Sequence, residues 1–146
     1  MKPVTEVLLV DDNPGDTDLT AELLRRNGRL VHIHSVSDGV AAMAFLRREG
    51  KFARALTPHL ILLDLNMPRK NGWDVLADVK SDGALRMITV VVFTTSQATS
   101  DIARCNALGA NSYVSKPGNL TEYASTVATI GNYWFDVACM ERQEGP

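Results

Sequence analysis

His59-Leu60-Ile61-Leu62-Leu63-Asp64-Leu65 is an apolar run broken only by one carboxylate near its end. It lacks the polar–apolar alternation of a strand with one wet face. An unbroken Leu/Ile run is what a strand inside a parallel sheet carries, covered on both sides. Working outward, Glu6 to Val10 reads as a second buried strand, Leu30 to Val36 as another, Thr89 to Thr94 as a fourth and Ser112 to Ser115 as a short fifth. Helical patterns fill the gaps. Asn13, Pro14 and Asp16 give a polar cap, a first-position proline and a first-turn acid. Leu19, Leu23 and Leu24 form that helix's apolar stripe, and Asn27-Gly28 ends it.

Asp38 is placed to cap a second helix through Leu46, with Val40, Met43, Ala44 and Leu46 toward the core. Trp73 to Lys80 is a third helix, and Asp101 to Leu108 a fourth, stopped by Gly109. Asn119 caps the last one, with Glu122 completing a capping-box pattern. Strand and helix thus alternate five times with no spare element. That order predicts an α/β fold: a doubly wound five-stranded parallel sheet with helices on both faces. Residues 1–146 read as one domain, with a core over about 5–140 and a short C-terminal tail.

Composition narrows the function classes. Of 146 residues, 45% are hydrophobic and 22% charged, a globular balance. Fifteen basic and 17 acidic residues leave a net charge of −2 with no basic run, so nucleic acid and anionic membrane are not expected partners. Val7 to Val10 is far too short for a signal peptide or a membrane span. Cys105 and Cys139 stand in no metal spacing and read as reduced thiols, which points to the cytoplasm. Asn119-Leu120-Thr121 matches a glycosylation acceptor, which carries no meaning without secretion.

Ligands in such sheets sit beyond the carboxyl ends of the strands. There the sequence places Asp11 and Asp12 after strand one, and Asp64 and Asn66 after strand three. Thr94, Thr95 and Ser96 follow strand four, and Lys116-Pro117 strand five. Each has a bland reading alone, as a helix cap, a turn residue or a strand terminus. Together they are complementary. Close carboxylates repel, and a hard divalent cation such as Mg²⁺, which takes oxygen ligands, relieves that. A carboxylate there can attack phosphorus, while a lysine and a hydroxyl neutralise the transferring group.

These motifs, Val10-Asp11-Asp12, Leu62-Leu63-Asp64-Leu65-Asn66-Met67-Pro68 with Asn71-Gly72, Phe93-Thr94-Thr95-Ser96, and Tyr113 three residues before Lys116-Pro117, resemble response-regulator receiver domains across essentially the whole chain. The resemblance implies the flavodoxin-like (βα)5 fold, with Asp64 as phospho-acceptor from a partner histidine kinase and Mg²⁺ as cofactor. It implies Asp12 as direct metal ligand, Asp11 as one acting largely through water, and Asn66 as ligand through its backbone carbonyl. Thr94 would move onto the phosphoryl group, Lys116 would neutralise it, Tyr113 would turn inward, and the bond before Pro117 would be cis. Gly118 departs from the bulky residue many receivers place there.

The segment from Phe45 to Pro58, the Leu60-to-Asn66 run and Tyr133-Trp134-Phe135 resemble, more narrowly, single-domain regulators of bacterial and cyanobacterial phytochromes. That implies a light-sensing histidine kinase as partner. A receiver is not an enzyme in its own right, though it contributes to its own phosphorylation and dephosphorylation.

Three alternatives fit the sequence less well. A haloacid-dehalogenase-type aspartyl phosphatase places its nucleophile after strand one with a second acid two residues on, whereas Asp11 and Asp12 are adjacent. A nucleotide-binding module needs a Gly-rich phosphate loop, and none follows a strand here. A degenerate receiver acting as a protein-binding platform is disfavoured because every site position is filled. His32 and His34 share a face of strand two but have no third metal ligand nearby in sequence, so they read as an exposed or half-buried strand. Trp73 and Trp134 read as packing residues, and the Arg25-Arg26 and Arg47-Arg48 pairs as solvated helix ends.

The last helix carries Leu120, Tyr123, Ala124, Val127, Ile130, Trp134, Val137 and Ala138 as one stripe, which Tyr133 and Phe135 widen beyond the need of one sheet face. That width predicts a partner surface, a homodimer through helix four, strand five and helix five. With no DNA-binding segment after it, direct transcriptional output is not expected.

Overall fold

The structure is a computed structural model describing residues 4–26 and 28–144, with side chains described as far as 138. Its elements are β1 (Thr5–Val10), α1 (Pro14–Arg25), β2 (Val31–Val36), α2 (Gly39–Leu46), β3 (Leu60–Leu63), α3 (Gly72–Ser81), β4 (Thr89–Thr94), α4 (Thr99–Leu108), β5 (Ser112–Ser115) and α5 (Leu120–Glu144). A short 3₁₀ turn, Gly50–Phe52, follows α2. The five strands form one parallel sheet, as predicted, and their order is β2-β1-β3-β4-β5. Because β2 lies on one side of β1 and β3 on the other, the strand order reverses between β1 and β3. A crevice opens at such a point.

The apolar runs explain the layering. β1, β3 and β4 are buried at every position, so each serves two cores. Leu8, Val10, Ile61, Leu63, Val90 and Val92 pack with α2, α3 and α4 on one face. Val7, Leu9, Leu60, Leu62, Val91 and Phe93 pack with α1 and α5 on the other. The three caps read from the sequence form: Asn13 accepts the Asp16 N–H at 3.0 Å, Asp38 that of Ala41 at 2.7 Å and Asn119 that of Glu122 at 2.8 Å. Asn71, not read as a cap, accepts the Asp74 N–H at 3.0 Å and starts α3. Gly109, at φ 98°, closes α4 in the left-handed region that glycine enters without penalty. Asn27, expected to help end α1, lies outside the described residues.

Two helix faces differ from expectation. In α2, Val40 is 51% exposed, while Ala42 and Phe45 join Met43 and Leu46 in the core. In α5 the buried line runs through Tyr123, Val127, Ile130, Gly131, Phe135 and Ala138. Phe135 is therefore fully buried rather than part of an outer surface, Trp134 is half-buried, and Leu120 and Tyr133 are exposed. Trp73 packs against the α2–α4 core, with the Arg104 guanidinium 4.4 Å from its ring centre. No described helix is long and apolar enough to cross a membrane.

Candidate functional site

Strand pairing builds the site. The ladder runs one residue beyond β1 and β3: the Asp11 N–H donates to Val36 O at 3.1 Å and the Asp64 N–H to Val10 O at 2.9 Å. The two carboxylates therefore leave the sheet side by side at the crevice. Asp11, Asp12 and Asp64 offer one oxygen each within 4.8 Å of one another. β4 and β5 bring the complementary groups, since the Lys116 N–H donates to Thr94 O at 2.7 Å. α3 starts so close to this rim that a Cβ on Gly72 would lie 2.2 Å from Asp64 O; only glycine fits that approach.

Asp64 is held at both oxygens. Its Oδ1 accepts from the Thr94 hydroxyl at 2.8 Å and, more weakly, from the Asn66 N–H at 3.4 Å. Its Oδ2 lies 3.3 Å from Lys116 Nζ. Lys116 also donates to Asp11 Oδ2 at 2.6 Å and Asp16 Oδ2 at 2.9 Å. Burial by itself would push the lysine's pKa down. The hydrogen bonds to Asp11 and Asp16 and the charge of Asp64 outweigh it and hold the ammonium well above the usual lysine range. Asp11 is raised, chiefly by its burial, and Asp64's charge adds to this. The bonds from Lys116 and the Asn13 N–H pull the other way. Four carboxylates around one ammonium leave the cluster short of positive charge.

The predicted residues Asp11, Asp12, Asp64, Thr94 and Lys116 thus converge, with Asn66 beside them on the rim. Tyr113 stands apart from the cluster. It is half-buried, and its hydroxyl donates to Ser96 O at 2.9 Å, an oxygen that also takes the Ser115 hydroxyl at 3.2 Å. Sequence reasoning missed Asp16 as a partner of Lys116, reading it only as a first-turn acid. No spacing in the sequence marks this contact, which the approach of α1 to the end of β5 makes across 100 residues. Sequence reasoning places Ser96 at the rim but gives it no role: its hydroxyl donates to Asp101 Oδ2 at 2.6 Å and so ties the β4–α4 loop to α4.

One expectation is corrected. No cis peptide bond occurs among the described residues, so Lys116–Pro117 is trans. The preference between isomers before proline is only ~0.5–1 kcal/mol. Lys116 reaches its partners from the trans form, and the following Gly118 has open space around it.

The oxygen-only donor set, the tight spacing of three carboxylates and the raised Asp11 fit a hard divalent cation. Comparison with known proteins agrees. The family model for the response regulator receiver domain matches residues 7–128. Response regulator Rcp1 of Synechocystis is 37% identical over 138 residues, 94% of each chain. The crystal structure of the phosphorylated cyanobacterial phytochrome response regulator RcpA superposes with a TM-score of 0.89 at 41% identity, covering 92% of this chain and 96% of that one. The Mn²⁺-bound form of Rcp1 gives a TM-score of 0.87 at 38% identity, covering 90% and 95%.

Proposed function

The chain belongs to the response-regulator receiver family and is a two-component response regulator, and from that premise we propose that Asp64 is the phospho-acceptor. The observation that carries this is the Asp64 carboxylate, gripped by Thr94 on one oxygen and Lys116 on the other, with Asp11 and Asp12 beside it. A histidine kinase is the implied partner. A carboxylate oxygen of Asp64 attacks the phosphorus of its phosphohistidine, the P–N bond breaks, and the imidazole leaves with the electron pair, giving an acyl phosphate. Lys116, already charged, balances the arriving phosphoryl oxygens, and the Thr94 hydroxyl turns from Asp64 to one of them.

The site is a divalent-cation site, and Mg²⁺ is the ion we assign to it, held by Asp11, Asp12, Asp64 and the carbonyl of Asn66. When bound, the ion supplies charge neutralisation of the phosphoryl group. The resemblance to RcpA and Rcp1 supports a phytochrome-type histidine kinase as partner, the cytoplasm as location, and one receiver domain over the chain. Incubation with acetyl phosphate and Mg²⁺ should raise the intact mass by one phosphoryl group, and Asp64→Asn should abolish this. Equal labelling of the Asn variant would refute the assignment.

A homodimer on the α4–β5–α5 face is the output we propose. What supports it is a groove of about 580 Å³ lined by Val114, Thr129, Ile130, Tyr133 and Trp134, at which Tyr133 is 60% exposed and stands edge-on to Trp134. Light scattering across a dilution series, with and without beryllofluoride, tests it. A strictly monomeric mass in both states would sink it, and a dimer indifferent to Trp134→Ala would move the interface.

A further inference from the structure

All three histidines of the chain contact one residue, Glu6, at the pole of the sheet opposite Asp64, two of them at its carboxylate. Glu6 is the second residue of β1, paired in register with His32 on the edge strand β2. His32 Nδ1 lies 2.8 Å from Glu6 Oε2, and His34 Nε2 lies 3.5 Å from Oε1. His59 braces the backbone: its Nδ1 accepts the Glu6 N–H at 2.9 Å, and its own N–H donates to Glu6 O at 2.8 Å. The Glu6 side chain is only 9% exposed, whereas the rings of His32 and His34 are 63% and 47% exposed. Glu6 Oε1 is buried and has no hydrogen-bond partner.

A buried, unsatisfied carboxylate oxygen is costly and calls for a cation or donor. Two imidazoles on one strand face flank this one, and their spacing of two residues is what places both on the same side of the sheet. We propose that Glu6, His32 and His34 form a binding site for a transition-metal ion of the zinc type. Two histidines and a carboxylate are the protein ligands of open zinc sites, which leave further positions to water. Imidazole suits Zn²⁺, Cu²⁺ or Ni²⁺, while Mg²⁺ prefers the all-oxygen cluster at the other pole, so ligand chemistry separates the two sites.

As placed, His32 bonds Oε2 while His34 stands 3.5 Å from Oε1 without bonding it, and metal binding requires the two rings to swing together over Oε1. Their exposure permits this, and the contact of His34 with the Phe45 ring, 5.4 Å between centres, sets the side from which His34 approaches. A bound ion would staple the edge strand to β1.

The test is calorimetric titration of the untagged full chain with ZnCl₂ in saturating Mg²⁺. Expected is one Zn²⁺ per chain, weakened about tenfold or more by either His32→Gln or His34→Gln. Both side chains are exposed, so these variants should fold as the parent does, which far-UV circular dichroism checks. Co²⁺ in place of Zn²⁺ should shift or broaden the ring NMR signals of His32 and His34. Zinc binding untouched by both histidine variants would overturn the proposal, as would zinc displaced by Mg²⁺ and lost in Asp12→Ala, or no zinc binding at all.

Discussion

Lys116→Met removes one ammonium from among four carboxylates while keeping most of the side chain's length and apolar contact. The Lys116 side chain is 4% exposed and those of Asp11 and Asp64 are 12% each, so these contacts, at 2.6 and 3.3 Å, are effectively buried. Asp16, at 31%, is partly hydrated and counts for less. Breaking one side of a buried ion pair costs ~3–5 kcal/mol, because the partner charge stays behind uncompensated. Here the cluster opens to water beside the exposed Asp12, which lets the stranded carboxylates rehydrate and points to the lower end, about 3 kcal/mol. For a domain of this size that corresponds to a drop of ~6–12 °C in Tm.

Lys116 is held above its ordinary pKa. Its contribution is therefore complete at pH 7 and is lost only as strongly alkaline pH deprotonates the folded state. The stranded acids bind a divalent cation more tightly in the variant, so Mg²⁺ should stabilise it more than the parent and narrow the gap. Urea unfolding of both proteins at pH 7, with and without saturating Mg²⁺, measures this. A loss below about 1 kcal/mol, or an equal loss in both conditions, would refute the electrostatic reasoning.

Phe135→Ala should cost ~3–5 kcal/mol and Tyr133→Ala less than ~0.5 kcal/mol, since the first ring is wholly buried and the second largely exposed; similar losses in denaturant titrations would reverse the facing of α5. Burial, with Asp101 adding to it, pushes the Cys105 thiol up to about 11 from an ordinary 9.0. Alkylation in a Cys139→Ser background should therefore stay slow at pH ~8 and accelerate only toward the raised pKa. Because the folded state holds this proton more tightly, the associated stability is complete below pH 9.0 and fades as pH climbs toward about 11. An alkylation midpoint near the ordinary thiol value would refute the shift.

The parallel sheet and its rim were legible because unbroken runs such as Leu60 to Leu63 admit few places other than the middle of a parallel sheet, and the residues after them must then stand at its carboxyl edge. Asp64 and Thr94 follow from that, while Lys116, after the half-buried β5, follows from the strand–helix alternation. The face of α2 was not legible for the same kind of reason. Val40 to Leu46 is apolar at every position, so periodicity selects no side, and only the packing of α2 against the sheet and α3 shows Phe45 in and Val40 out.

In α5 the stripe read through Ile130 and Trp134 departs from the buried line after Ile130, where Gly131 and Phe135 are buried and Trp134 is half-buried. A buried glycine leaves no mark in a hydrophobic count. Asp16 with Lys116, and Glu6 with His32, are contacts across 100 and 26 residues, set by the tertiary approach of elements and invisible to spacing.

The arrangement around Ser96 supplies the route by which a change at Asp64 would reach the proposed output face. Thr94 is fully buried, and its hydroxyl is committed to Asp64 at 2.8 Å. An arriving phosphoryl group offers that hydroxyl a more strongly charged acceptor, and moving it displaces the start of the β4–α4 loop. Two residues on, Ser96 makes three bonds to other elements: its carbonyl takes Tyr113 and Ser115 of β5, and its hydroxyl donates to Asp101 of α4. A shift of this loop cannot leave all three intact, because their partners sit on two other elements. Tyr113 is the residue we expect to be released first, since its hydroxyl makes a single bond from a half-buried ring, and freeing it would reshape the surface between α4 and β5. The coupling then needs no contact between the site and α5 itself. It needs only that Thr94 have two acceptors to choose between and that Ser96 be unable to follow one partner without leaving another.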